Sequence, residues 1–181
     1  MRHGVIALVA ALLVSTAFAQ AQQPKPSKPE AAPPATEGAP STPEERKQIV
    51  ELSKKLEQNP LDRALTKDTR RLFQRIIDVP DITVTLCNAV MPWLRDDYKY
   101  APELSVTYTF AAASYVIQNP AADPGTSSWI GLESALRAYQ NIVKKDPKAK
   151  SRTMERTLDE RDMGKLQEQV KEACGPEKQR L

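Results

Sequence analysis

Residue types that often carry enzyme chemistry are scarce in this chain. The 181 residues contain one histidine, His3, and two cysteines, Cys87 and Cys174. We argue below that the segment around His3 is removed, which leaves no histidine to act as a general base or a metal ligand. Two cysteines are too few for a four-Cys or two-Cys-two-His zinc site. The sequence therefore predicts no metal site, no cofactor and no histidine-dependent catalysis.

Carboxylates are the remaining candidates for acid–base chemistry. A carboxylate-dependent hydrolase would need two of Asp81, Asp96, Asp97 and Glu103 to face each other across one cleft. Asp96 and Asp97 are adjacent in a predicted loop, which is typical of a solvated turn. The sequence has no Gly-rich phosphate loop, no G-x-S-x-G elbow and no S-x-x-K motif. We therefore predict no catalytic residues and keep the hydrolase as a third hypothesis.

The two cysteines predict a disulfide. An even number of cysteines in an exported protein is typical of a structural bond, and Cys87 and Cys174 form the one possible pair. Chain entropy alone gives such a long closed loop about 4–5 kcal/mol of stabilisation. A redox pair or two free buried thiols are the alternatives, but the C-x-x-C spacing of redox motifs is absent.

Aromatic side chains provide two candidate binding sites. Three of them lie around a polar loop, a fourth, Trp129, is added to them, and an exposed aromatic patch of this kind would bind a partner. Packing of that loop against the body of the domain is the alternative. Three tyrosines on predicted helices could line a pocket between helices. The candidate surface consists of Trp93, Tyr98, Tyr100 and Trp129, and the candidate pocket of Tyr108, Tyr115 and Tyr139.

These residues follow a predicted leader. Residues 1–21 resemble a secretory signal peptide, with Arg2 before an apolar run and Ala17-Phe18-Ala19 as a small-x-small cleavage site. Ala19-Gln20-Ala21 fits equally well, so the boundary stays open by two residues. The apolar run is shorter than the roughly 20 residues that span a bilayer. We expect cleavage, no transmembrane segment afterwards, and a periplasmic or extracellular location.

The composition that follows the leader argues against nucleic acid as a partner. Residues 22–42 are rich in Pro and Ala and contain no large apolar side chain, which predicts a disordered linker. The formal net charge of +3 falls to +2 when Arg2 leaves with the leader. A nearly neutral exported chain lacks the concentrated basic face that phosphate binding requires.

Residues 43–175 predict one all-α domain, and residues 176–181 a polar tail. The apolar period is helical nearly throughout, with Pro and Gly at the expected ends, which indicates a bundle or short array of about seven helices. Residues 81–93 are ambiguous. Ile82, Val84 and Leu86 alternate as in a strand, whereas Ile82, Leu86 and Val90 have helical spacing. A strand would have no partner, so we predict a helix.

One helix resembles a known repeat. Residues 129–145 are similar to the second helix of a tetratricopeptide repeat, with Ala135, Tyr139 and Pro147 at the repeat's small, aromatic and terminal-proline positions. The preceding segment lacks the repeat's Trp-x-x-Leu-Gly pattern, and no second copy follows at a period near 34 residues. The resemblance implies a helical surface that binds peptides or proteins.

The sequence thus favours a non-catalytic interaction module. We expect it to bind an envelope protein or peptide, or to associate with itself. A small-ligand carrier with a pocket between helices is the second hypothesis.

Overall fold

The described part of the computed structural model comprises residues 38–95 and 97–175. The predicted signal peptide, the linker up to residue 37, Asp96 and the predicted tail lie outside it. The described residues form six α-helices and no strand, which confirms the all-α class with one helix fewer than expected. The helices are α1 (Pro43–Gln58), α2 (Thr66–Asp78), α3 (Ala101–Gln118), α4 (Pro124–Lys145), α5 (Arg152–Asp162) and α6 (Leu166–Cys174).

The helix predicted over residues 81–93 does not form. The chain is irregular from Ile82 to Cys87 and then makes two single 3₁₀ turns, Asn88–Val90 and Pro92–Leu94. Its central residues, 83–85, are all β-branched and lose side-chain freedom in a helix. The segment also connects two apolar clusters, because Ile82 is buried in one and Cys87 packs against the other. A non-helical chain covers that path with fewer residues than a helix, which rises only about 1.5 Å per residue.

Local capping chemistry sets where the helices begin. Thr42 closes a capping box on α1: the Glu45 N–H donates to Thr42 Oγ1, and the Thr42 N–H donates to Glu45 Oε2 at 2.8 Å. Helix α4 begins at Pro124. Asp123 is its cap, since Asp123 Oδ1 accepts the Thr126 N–H at 2.9 Å.

Helix α3 lies between the two apolar clusters. Its Leu104 and Tyr108 belong to the larger cluster, which α4, α5 and α6 complete. Its Phe110 and Ala113 belong to the smaller cluster, formed with α1, α2 and Ile82. A helix that packs against a cluster on each side must be apolar nearly all round. The run of alanines and aromatic residues gives α3 this character. Every residue from Thr107 to Ser114 is buried.

Helices α3 and α4 come closest at Gly131. A Cβ at this position would stand 2.9 Å from Tyr108 Cδ2 and 3.0 Å from the Tyr108 backbone oxygen. Tyr108 has no exposed surface, so neither its ring nor its backbone has free space to retreat into. Glycine is therefore required here to let the two backbones approach.

A buried arginine of α2 holds the residues that precede α1. Arg75 of α2 is 7% exposed. Its Nε donates to Glu45 Oε1 at 2.8 Å, and its Nη2 donates to the carbonyl oxygens of Ala39 and Pro40 at 3.0 and 3.2 Å. These bonds compensate for removing the guanidinium from water. The last residues of the segment predicted as a disordered linker are thus held against the domain.

Asp81 completes the contacts that hold the segment before α1. We call residues 39–42, Arg46, Arg75 and Asp81 the entry clasp. The Ser41 N–H and the Ser41 hydroxyl donate to the Asp81 carboxylate at 2.9 and 2.8 Å, and Arg46 pairs with it. Partial burial alone would raise the pKa of Asp81, but these bonds outweigh it and lower the pKa to about 2. The carboxylate is therefore ionised as a structural anchor.

The disulfide joins the two cysteines that the sequence paired. Cys87 and Cys174 are bonded at an Sγ–Sγ distance of 2.08 Å, with their Cα atoms 5.8 Å apart. Cys174 is buried in the larger cluster and Cys87 packs on it. The bond fastens α6 to the irregular segment before α3.

We expect Gly131→Ala to lower the free energy of unfolding by about 1–3 kcal/mol, because the added methyl overpacks the α3–α4 contact. The measurement is urea denaturation followed by circular dichroism. At an unobstructed helix position the same substitution stabilises by roughly 1 kcal/mol through helix propensity. A stabilised variant would therefore contradict the close contact.

We expect the double variant Cys87→Ser, Cys174→Ser to lose about 2–5 kcal/mol of stability, because the unfolded chain regains the entropy of the open loop. Thermal melting with and without reductant checks this. Reductant should shift the wild type towards the double variant and leave the variant unchanged. Equal melting of the oxidised wild type and the variant would refute a stabilising bond.

Candidate functional site

The predicted aromatic surface is largely packed into the domain. Trp93 is only 1% exposed, and its indole N–H donates to Ser105 Oγ at 2.9 Å. Tyr98 is half-buried between Tyr100 and Tyr139, with ring centroids 5.9 and 6.0 Å away. Trp129 packs partly against the larger cluster. These four residues do not form one exposed patch, and packing of the loop against the body accounts for them.

The three tyrosines predicted to line a pocket do not meet around one. Tyr108 and Tyr139 are fully buried in the larger cluster. The Tyr139 hydroxyl donates to Glu155 Oε1 at 2.6 Å and accepts the Ser151 N–H. Burial, reinforced by the Glu155 bond, raises the pKa of Tyr139 to about 12. Tyr115 lies elsewhere, beside a depression of about 180 Å³.

The carboxylates considered for a hydrolase are dispersed. Asp81, Asp97 and Glu103 border three different depressions, and Asp96 lies outside the described residues. Asp81 is occupied by the entry clasp. Within residues 38–95 and 97–175, no three His, Cys, Asp or Glu side chains are grouped as a metal site requires.

A groove between α2 and the start of α3 has the form of a binding site. We call it the α2–α3 groove, and its volume is about 640 Å³, within the range of about 300–1,000 Å³ typical of ligand sites. It is open to solvent rather than enclosed. Apolar side chains alternate with polar and charged ones around it. The lining consists of Leu56, Pro60, Leu61, Asp62, Arg63, Thr66, Thr69, Arg70, Phe73, Lys99, Tyr100, Pro102, Glu103 and Val106.

Helix ends on either side position the groove. Pro60 follows the end of α1, and Asp62 then caps a single 3₁₀ turn by accepting the Ala64 N–H at 2.9 Å. On the opposite wall, Tyr100 immediately precedes α3 and its hydroxyl donates to Asp146 Oδ2 at 2.8 Å. That bond ties the start of α3 to the end of α4. The Asp62 cap thus shapes the turn on one side of the groove, and the Tyr100–Asp146 bond fixes the loop on the other.

Two buried oxygens of the groove residues have no hydrogen-bond partner. They are Thr69 Oγ1 and Glu103 Oε2. A buried polar atom without a partner costs about 1–3 kcal/mol, so native proteins rarely retain one without a reason. Neither atom is open to solvent, so both lie behind the groove surface rather than on it. The accessible lining of the groove combines apolar side chains with charged ones.

Two arginines of the groove form no ion pair with any described carboxylate. Arg63 belongs to the 3₁₀ turn and Arg70 to α2, and both are exposed. Arg137 differs from them, because Glu57 and Glu133 pair with it at 2.9 and 3.1 Å. Burial would raise the pKa of Glu57, but the Arg137 and Ser134 hydrogen bonds lower it, which keeps that pair charged. The groove arginines remain available to an anion.

Sequence reasoning missed most of this site. Phe73 and Arg70 border the groove, and neither was among the candidate site residues of the sequence. Glu103 was considered only as a hydrolase carboxylate. No motif marks these positions, since the groove arises where two sequence-distant segments meet. The one available signal was Tyr100, which the sequence placed in the candidate surface and which lines the groove wall.

No protein-family model matches the chain, and neither the curated proteins nor the solved structures contain a match. The tetratricopeptide resemblance of α4 therefore has no independent support. Among the described helices, none has the length and apolar character needed to cross a bilayer. The α2–α3 groove is accordingly the feature from which a function can be inferred.

We expect Thr69→Val to raise the free energy of unfolding by about 1 kcal/mol, because it removes a buried hydroxyl that has no partner while keeping the side-chain shape. Urea denaturation measures the change. Thr157→Val on α5 is the matched control, since the Thr157 hydroxyl donates to the Thr153 carbonyl at 2.9 Å. The control should lose stability. A destabilised Thr69→Val variant would show that its hydroxyl is already satisfied within the fold.

Proposed function

We propose that this protein is an exported, non-catalytic binding protein whose α2–α3 groove receives a peptide segment of another protein of the periplasm or cell envelope. The observation that carries the proposal is the groove itself, about 640 Å³ with apolar walls and with Arg63 and Arg70 unpaired by any described carboxylate. Peptides supply both complements, since apolar side chains fill the walls and peptide oxygens accept hydrogen bonds from the arginines.

The open form of the groove favours a peptide over a small molecule. Small-ligand pockets bury about 70–90% of their ligand. A groove open to solvent instead covers one or two side chains and leaves the flanking chain outside. A carrier of a small ligand remains the second candidate, because the volume of about 640 Å³ is sufficient for one.

Export is the part of the proposal that rests on the sequence. The leader-like residues 1–21 support it, and the Cys87–Cys174 disulfide is compatible with an oxidising compartment. The linker would then separate the binding domain from its point of attachment or from the leader.

Photo-crosslinking in cells tests the proposal. A photoreactive amino acid replaces Thr66, which is exposed and borders the groove, and in the control it replaces Gln167, which is exposed on α6. We expect the groove position to form an adduct with an envelope protein and the α6 position to form none. Equal adducts from both positions, or none from residue 66 in exported protein, would refute the groove as the site.

Charge reversal in the groove should weaken that adduct. The double variant Arg63→Glu, Arg70→Glu is expected to reduce adduct yield at residue 66 by about tenfold, because it replaces the unpaired cations of the groove with anions. The control variant Lys47→Glu, Lys165→Glu changes the net charge equally outside the groove and should leave the yield unchanged. Equal losses in both variants would point to a nonspecific charge effect.

A further inference from the structure

A second, basic depression adjoins the groove. It is lined by Asp97, Tyr98, Lys99, Asp146, Lys148, Ala149, Lys150, Ser151 and Arg152, and its volume is about 490 Å³. We call it the basic basin. Lys99 lines both the basin and the α2–α3 groove. The two depressions are therefore neighbours, with Lys99 at their boundary.

The basin carries cations that the fold does not neutralise. Lys148, Lys150 and Arg152 are exposed and form no ion pair with a described carboxylate. They recur at every second position across the turn that links α4 to α5. Three like charges this close raise the local potential and attract an anion. Together with the groove arginines they make this end of the domain basic, although the chain as a whole is nearly neutral.

The acidic side chains of the basin do not cancel this charge. The Asp146 carboxylate already accepts the Tyr100 hydroxyl at 2.8 Å, the Lys99 ammonium at 3.5 Å and the Lys148 N–H at 3.2 Å. The Tyr100 bond comes first among the causes that lower the pKa of Asp146. Its charge is therefore used to fix the loop rather than to pair with Lys150 or Arg152. Asp97 is the one other described carboxylate in the lining.

We infer that the segment bound by this protein is an acidic peptide, with an apolar side chain in the α2–α3 groove and neighbouring carboxylates over the basic basin. The inference rests on the proposed function and specifies its partner. Complementary charge steers such a segment to the site and fixes its register. An anionic lipid surface is the other chemistry that would match the cations, and the vesicle measurement below distinguishes it from a peptide.

Fluorescence polarisation with three labelled decapeptides tests the inference on the full chain. Each peptide has a central phenylalanine, flanked by glutamates, by glutamines or by lysines. We expect the glutamate peptide to bind about tenfold more tightly than the glutamine peptide, and the lysine peptide to bind most weakly. The advantage of the glutamate peptide should shrink as salt is raised, since exposed charges are screened.

Variants assign the effect to the basin. Lys148→Glu, Lys150→Glu, Arg152→Glu should abolish the preference for glutamate and leave the affinity for the glutamine peptide unchanged. The matched control, Lys47→Glu, Lys54→Glu, Lys165→Glu, should retain the preference. Preservation of the preference in the basin variant would overturn the assignment of the carboxylates to the basin.

The remaining outcomes separate this inference from the proposed function. Equal affinities for the glutamate and glutamine peptides would overturn the acidic partner while leaving the groove as a peptide site. Failure of all three peptides to bind, with an adduct still formed at residue 66, would overturn the peptide chemistry inferred here.

Vesicles of phosphatidylglycerol test the lipid alternative. If they bind the wild type but not the basin variant, and the glutamate peptide does not bind, a lipid surface replaces the peptide as the partner. The loss of both peptide binding and the adduct would refute the proposed function itself.

Discussion

Helix α4 passes so close to α3 at Gly131 that the Tyr108 ring fills the space where a side chain would stand. This contact fixes the distance between the two longest helices and so the geometry of everything packed on them. On one side of α3, helices α5 and α6 close over α4 and complete the larger cluster. On its other side, α1 and α2 form the smaller cluster around Phe110. Since interiors are packed at crystal-like density, a shift at Gly131 would be transmitted to both clusters.

The candidate site follows from how these two clusters meet. One wall of the α2–α3 groove belongs to the α1–α2 side, with Leu56 and Phe73, and the other to the start of α3, with Tyr100 and Val106. The same loop that carries Tyr100 also carries Lys99 to the basic basin. The bond from Tyr100 to Asp146 therefore positions the groove wall and the basin together.

The helical elements could be predicted because their signals are local. Thr42 and Pro43 mark the start of α1, and Gly164 marks the break between α5 and α6, where its φ of +73° favours glycine. The irregular segment after Pro80 could not be predicted, because its apolar residues fit both a helix and a strand. The path that the chain takes between the two clusters decides its structure. Trp93 likewise could not be predicted as buried, since the loop sequence does not show that Ser105 accepts its indole N–H. The groove was missed because its walls are distant in sequence.

The position of the disulfide divides the domain mechanically. The covalent loop from Cys87 to Cys174 encloses α3 to α6, whereas α1 and α2 lie outside it. A pulling force applied through the residues before Gly38 would load the entry clasp first, where Arg75 and Asp81 hold the chain. It would then peel α1 and α2 from α3, while the cross-linked part stayed closed. The α2–α3 groove lies on that seam, so tension along the preceding segment would open the groove before it unfolded the larger cluster.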